Sequence, residues 1–249
     1  MMLPTPLLRK LIFETLYKNR YLYRFASTIP FAGQWRVWQR LVIARIRGLE
    51  VLEIGCGLGD LLADMLQAGY HCRAVERSPQ MVAAARDTLR KRSIGDASLI
   101  IQGSAQALPI PSATIDTVVS TFPSEYIYDP DTIAEIARVL RPGGRLIVIE
   151  GGELLPVGFI QPFLLLIHAL IYGPRVLLEP VRQRNQRQKS TTNNNTTQNG
   201  QQSGVVTEVV SNTPFGSFIP LERFGLARRS ECVRSPRWKV YIVIGDKMP

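Results

Sequence analysis

The sequence predicts an α/β fold, a doubly wound and mostly parallel sheet, and three observations predict it. Between residues 49 and 150, short apolar runs alternate with amphipathic stretches of helical period. A glycine-rich turn, Gly55-Cys-Gly-Leu-Gly59, follows the first apolar run and opens a helical pattern. An acid, Glu76, stands where the second apolar run ends. Taken in order, strands are expected near residues 50–54, 72–76, 98–102, 115–120 and 145–150, with helices near 60–68, 79–92 and 131–139. Asp60 and Ser78 read as N-caps, and Pro79 suits a first helical position. Pro142-Gly-Gly144 reads as a turn feeding the fifth strand.

A strand, glycine turn, helix and strand-end acid of this Rossmann-like kind hold a nucleoside. Glycines let the backbone approach the ligand, and the carboxylate grips ribose hydroxyls. Charge decides which nucleoside. A dinucleotide fingerprint needs glycine or alanine at position 60, where this chain has Asp60, and Glu53 precedes the loop. Two carboxylates flanking the loop would repel a diphosphate. They suit a cation such as S-adenosylmethionine, with its sulfonium and ammonium groups.

Residues 49–150 resemble the core of class I S-adenosylmethionine-dependent methyltransferases of the broad small-molecule, ubiquinone/menaquinone methyltransferase-like type. The residues that carry the likeness are Val51-Leu-Glu-Ile-Gly-Cys-Gly-Leu-Gly59, Val75-Glu-Arg-Ser-Pro-Gln-Met81, Gln102-Gly-Ser-Ala-Gln-Ala-Leu-Pro109, Ile115-Asp-Thr-Val-Val-Ser120 and Arg138-Val-Leu-Arg-Pro-Gly-Gly-Arg-Leu-Ile-Val-Ile149. The ending, Phe224-Gly-Leu-Ala and Lys239-Val-Tyr-Ile-Val-Ile-Gly245, resembles that fold's last two strands. The resemblance therefore implies a seven-stranded sheet with an insertion before those two.

It also implies roles. Gly55, Cys56, Gly57 and Gly59 line the methionine end of the cofactor, with Glu53 either a partner of the loop amides or a direct ligand. Glu76 accepts both ribose hydroxyls, Arg77 borders the adenine, and Ser104 and Ala105 contact the adenine edge. Ser120, Thr121 and Phe122 face the transferring methyl. The family usually has an acid at position 104; a neutral Ser104 still accepts a hydrogen bond but contributes less. In the loop Thr121-Phe-Pro-Ser-Glu-Tyr-Ile-Tyr128, Glu125 is the candidate base and Tyr126 would hydrogen-bond or stack on the acceptor. Either could instead cap the next helix or pack in a lid. The loop lacks the Asn/Asp-Pro-Pro-Tyr/Phe pattern of amide- or adenine-methylating relatives, which argues against those acceptors.

At 249 residues the chain divides into a basic, aromatic helical cap (1–48), the cofactor-binding core (49–150), an apolar lid or membrane-contacting segment (151–182), a low-complexity loop (183–204) and the closing strands (205–249). Charge is unevenly placed: +8 over residues 1–49, −4 over 50–150 and +6 over 151–249. The attachments thus point to an anionic partner, and lipid headgroups fit better than nucleic acid, for which no binding module is recognisable. Leu7, Leu8, Leu11, Ile12 and Leu16 share one helical face. A second stripe, Trp35, Trp38, Leu41, Val42 and Ile46, is interleaved with Arg36, Arg40, Arg45 and Arg47. Such stripes either cap the substrate pocket or lie on an anionic membrane.

Residues 154–174 carry no formal charge, but Pro156, Gly158 and Pro162 break the pattern early, so a lid or a monotopic anchor is expected rather than a crossing. His168 within it reads as a packing residue. Residues 183–204 have no side chains to build a core, and a disordered surface loop is expected. Cys56, Cys72 and Cys232 are odd in number with no C-x-x-C pair, which favours neither disulfides nor a metal site. Arg9, Lys10 and Glu14 interrupt the first apolar run, so no signal peptide is expected, and a cytoplasmic protein, soluble or peripheral to the membrane, is the reading. The leading expectation is a methyltransferase for a small hydrophobic or amphiphilic, lipid- or quinone-like acceptor. An RNA methyltransferase using the basic flanks, and a non-catalytic S-adenosylmethionine-binding assembly or regulatory protein, are the alternatives.

Overall fold

The computed structural model describes residues 33–155, 205–211, 213 and 218–248. The helical face expected at residues 7–16, His168, nearly all of the apolar segment and the low-complexity loop lie outside the described residues.

The first described helix, α1, is Trp35–Arg40, and a 3-10 turn, Ile43–Arg45, follows it. Then come β1 (Glu50–Ile54), α2 (Asp60–Gln67), β2 (His71–Glu76), α3 (Pro79–Arg92), β3 (Ile100–Gln102), β4 (Ile115–Thr121), α4 (Pro130–Val139) and β5 (Leu140–Leu154). The closing strands are β6 (Val206–Val210), β7 (Leu226–Ser235) and β8 (Trp238–Lys247). The sheet runs β3-β2-β1-β4-β5-β8-β7-β6, parallel through the first five and antiparallel through the rest. Strand order reverses between β1 and β4, and ligands of such sheets bind outside the carboxyl ends of the strands at that point.

Four expectations are corrected in detail. The sheet has eight strands among the described residues rather than seven, because β6 adds an antiparallel edge to β7. Asp60 does not cap α2: Gly59, in the left-handed conformation at φ +75°, holds the N-cap position, and Asp60 instead pairs with Arg92 at 2.7 Å. Residues 98–99 wind into a 3-10 turn capped by Asp96, whose carboxylate accepts from the Ser98 amide at 2.6 Å, so β3 is short. Pro142-Gly-Gly144 lies inside β5, looped out between the pairs Ile115–Leu140 and Thr117–Arg145. Ser78 caps α3 as expected, its hydroxyl accepting from the Met81 amide at 3.3 Å, with Pro79 first in the helix.

Both sheet faces are covered. Leu52, Ile54, Val118, Leu146 and Val148 meet α4 on one face. Val51, Val119, Ile147 and Ile149 meet α2, α3 and α1 on the other. The apolar stripe of α1 is part of this core: Trp38 and Val42 are fully buried, and Trp38 sits edge-on to Trp238 at 6.2 Å. Gly152 makes room for it, since a Cβ there would lie 2.6 Å from the indole ring.

The interleaved arginines face acids. Arg36, Arg40 and Arg92 converge on Asp64, Arg45 pairs with Glu231 at 2.7 Å, and Arg47 pairs with Asp246 at 3.3 Å. Over residues 35–47 the apolar stripe thus packs on the core and its arginines pair with core acids, with Arg40 and Arg47 still more than half exposed. Burial alone would raise the Asp64 carboxyl, but hydrogen bonds from Arg40 and Arg92 and the Arg36 charge hold it below the ordinary aspartate range. Asp64→Ala should cost about 1–2 kcal/mol in a urea melt: the carboxylate is buried, but the exposure of Arg40 screens part of the network.

Candidate cofactor and acceptor site

The loop after β1 is shaped by backbone conformations that favour glycine. Gly55, Gly57 and Gly59 have φ of +75°, +53° and +75°, the left-handed region. Space forbids side chains at two of them as well. A Cβ on Gly59 would lie 2.8 Å from the Ala85 methyl of α3, and one on Gly55 would lie 2.8 Å from the Tyr126 hydroxyl. Their amides are all engaged within the protein. Gly55 donates to the Val75 carbonyl at 2.8 Å, Gly57 to Glu76 Oε2 at 3.1 Å, and Gly59 to the Cys56 carbonyl at 2.9 Å. The glycines therefore offer a ligand a cradle without side chains, and their N–H groups hold the cradle's shape.

Glu76, at the end of β2, is 9% exposed and clamped from two sides, by the Gly57 amide and by the Ser78 amide, which donates to Oε1 at 2.9 Å. Each carboxylate oxygen keeps lone pairs for a further donor, which is what a ribose diol requires. Glu53 differs. It is 1% exposed, none of the three glycine amides donates to it, and its Oε2 has no hydrogen-bond partner among the described residues. Burial pushes its carboxyl up to about 8. The charges of Glu76, Asp64 and Asp60 add to this, while the Arg36 guanidinium opposes it. A buried acid with an unpartnered oxygen, two positions before the glycine loop, leaves an acceptor that a cationic donor group would satisfy. Cys56 is buried and its thiol is held protonated, first by burial and then by the Glu53 and Glu76 charges, so it contributes packing.

On the adenine side, Ala105 is buried and Arg77 is exposed. The Ser104 hydroxyl donates to Gln106 Oε1, and Gln106 Nε2 donates to Asp129 Oδ2 at 3.0 Å. Ser104 is thus tethered through Gln106 to the carboxylate that caps α4, a connection no sequence spacing announces.

At the carboxyl end of β4, Ser120 is fully buried, and its Oγ lies 2.7 Å from the Tyr126 hydroxyl, which donates to the Ile54 carbonyl at 3.1 Å. Tyr126 is thereby brought onto the glycine loop. Thr121 accepts from Gln39 of α1 at 3.2 Å. Phe122 takes a left-handed conformation, φ +50°, fixed by its amide donating to the Ile149 carbonyl at 2.7 Å, and its ring stacks on Trp35 at 3.9 Å. A phenylalanine in that region stores strain, and such residues cluster at functional sites. Glu125 stands apart: it is exposed and makes no hydrogen bond to the described residues, so the structure does not gather it with the others. Trp35, Gln39 and Gln106 belong to this neighbourhood although the sequence reading did not assign them. The only signal for Trp35 was its place in an amphipathic stripe, and Gln39 and Gln106 had none.

Residues 52–148 match the family model described as a methyltransferase domain. The demethylmenaquinone methyltransferase of Symbiobacterium thermophilum is 31% identical over 149 residues, 57% of this chain and 58% of that protein. The ubiquinone/menaquinone biosynthesis C-methyltransferase UbiE of Hahella chejuensis is 33% identical over 135 residues, 51% of this chain and 54% of that protein. Residues 52–148 are a methyltransferase domain similar to those of class I S-adenosylmethionine-dependent enzymes. This methyltransferase domain takes S-adenosylmethionine as its cofactor, and the residues present fit it: the orphaned Glu53, the clamped Glu76 and the bare glycine cradle. The match spans little more than half the length of these relatives. A solved structure of a SAM-dependent methyltransferase from Aquifex aeolicus shares the domain's fold, with a TM-score of 0.50 at 15% identity over 91% of this chain and 98% of that one. Among the described residues, no group of three or more His, Cys, Asp or Glu could hold a metal, and no helix is long and apolar enough to cross a membrane.

Proposed function

We propose that the protein transfers a methyl group from S-adenosylmethionine to a small hydrophobic or amphiphilic acceptor with a quinone-like ring. The observation that carries this is the makeup of the acceptor side. Tyr126 lies against the glycine loop and Phe122, at the end of β4, stacks on Trp35, a set of aromatic rings that would suit a planar acceptor. The kinship with quinone methyltransferases points the same way. S-adenosylmethionine, when bound, supplies an electrophilic methyl on a sulfonium. The protein's task is then to hold donor and acceptor in line, which contributes roughly 7–11 kcal/mol in well-oriented cases. Glu76 fixes the ribose, Glu53 meets the cationic end, and Phe122 with Trp35 walls the acceptor side. An RNA acceptor lacks comparable support, since Arg36, Arg40, Arg45 and Arg47 are engaged with acids of the core.

The test pairs calorimetry with product detection. S-adenosylmethionine and S-adenosylhomocysteine should bind at micromolar concentration and NAD should not. Demethylmenaquinol should gain one methyl, read by mass spectrometry. Cofactor binding with no methylation of any quinol would overturn the acceptor reading, and no cofactor binding would overturn the activity itself.

A further inference from the structure

The parallel pairing of β5 with β4 ends at Thr121–Ile149, and Glu150 is the next residue. Against its other neighbour, β8, the ladder slips at this point: Ile149 faces Ile242 and Gly151 faces Tyr241, leaving Glu150 as the extra residue of a bulge. Bulges re-aim a side chain and are over-represented beside active sites. This one lies at the carboxyl edge of the sheet, next to the residue whose carbonyl fixes the strained Phe122.

The surroundings of the carboxyl are unequal. Oε2 accepts a hydrogen bond from the Thr213 hydroxyl at 2.7 Å, while Oε1 is buried with no hydrogen-bond partner among the described residues. Among the described residues, Tyr128, from the 3-10 turn Glu125–Tyr128, and Arg228, from β7, are the titratable and charged groups that act on it. Burial raises the Glu150 carboxyl above the ordinary glutamate range, against the opposing effects of Thr213 and Arg228. The Tyr128 phenol is raised in turn by its own burial and by the Glu150 charge. A carboxylate with one oxygen held and the other without a partner among the described residues, one position along β5 from the carbonyl that fixes Phe122, has the form of a general base. Glu125, which the sequence suggested for that role, has no such setting.

We propose that Glu150 is the base of the methyl transfer, a role that rests on the acceptor reading above. Its Oε1 takes the proton that the attacking acceptor atom loses. That atom's new bond forms to the methyl carbon, the carbon–sulfur bond breaks, and its electron pair stays on sulfur, leaving a neutral thioether. Thr213 is a positioning residue that aims Oε1 by holding Oε2.

The experiment uses the full-length protein with demethylmenaquinol at saturating S-adenosylmethionine, so that pH effects on cofactor affinity drop out. Glu150→Gln should lower kcat at least about 100-fold, with the cofactor Kd within twofold of wild type. Wild-type kcat should rise with pH as the carboxyl ionises, and this acid limb should vanish in Glu150→Gln. Glu150→Ala should regain at least about tenfold with added formate, which a lost structural contact would not do. Thr213→Val should shift the acid limb and keep part of the rate. An active wild type with Glu150→Gln within threefold of it overturns the base assignment alone. A wild type that binds the cofactor but methylates no quinol overturns the acceptor reading and this proposal with it.

Discussion

Glu76→Ala is expected to weaken S-adenosylmethionine binding at least about 100-fold while leaving the protein folded. Two contributions add. A hydrogen bond to a charged group is worth about 1.5–3 kcal/mol, so a ribose diol held by one carboxylate loses about 3–6 kcal/mol when that carboxylate goes, and each 1.4 kcal/mol is tenfold. The second contribution is the loop itself. Glu76 also receives the Gly57 amide at 3.1 Å and the Ser78 amide at 2.9 Å, so the truncation frees the middle of the cradle and the start of α3 together. Glu76→Gln separates the two: its one remaining carbonyl oxygen can serve a single amide or a single hydroxyl, and an intermediate loss is expected. Calorimetry gives the affinities, and near-ultraviolet circular dichroism with a thermal melt checks the fold. Affinity within threefold of wild type in both variants would mean that the nucleoside does not lie along β2.

The core was legible because its signals are local. Strand β1 matches its expected span, residues 50–54, since an apolar run ends at a glycine whose left-handed turn cannot continue it. The helix over residues 79–92 was fixed by a serine cap and a proline. What the sequence did not reveal depends on register between distant segments. The bulge at Glu150 exists only because β5 is read against β8, some ninety residues later. The Trp35–Phe122 stack and the Gln39–Thr121 hydrogen bond likewise join residues more than eighty apart. Strand β6 went unread for another reason. Val206 and Val209 are both exposed, so the strand shows no apolar face, and its place at the sheet edge rests on backbone pairing with β7. Charge counting also left the partners of residues 36–47 unread: Arg36 and Arg40 meet Asp64, Arg45 meets Glu231 and Arg47 meets Asp246, pairings that only the fold brings together.

Cofactor affinity should also tighten as pH rises, and Glu53 is the reason. In the free protein its buried carboxyl holds its proton up to about 8. A bound cation beside it favours the ionised form, so binding must expel that proton. Below about 8 each unit of rising pH therefore strengthens binding by up to tenfold, until the ligand-bound value is reached on the acid side. Calorimetry between pH 6 and 9, in two buffers of different ionisation enthalpy, should show nearly one proton released per cofactor near pH 6.5 and none above pH 9. Glu53→Gln should bind more weakly at pH 9 and lose the slope. The stability of the free protein runs the other way. The unfolded chain gives up this proton near the ordinary value of 4.5 and the folded one near 8, so the contribution is whole below 4.5 and is lost as pH rises to about 8. That span corresponds to about 5 kcal/mol at most, reduced by whatever water reaches the site. Glu53→Gln should remove this decline, making the variant the more stable protein at pH 8 and the poorer binder. Equal slopes in wild type and variant would mean that Glu53 does not meet the cation.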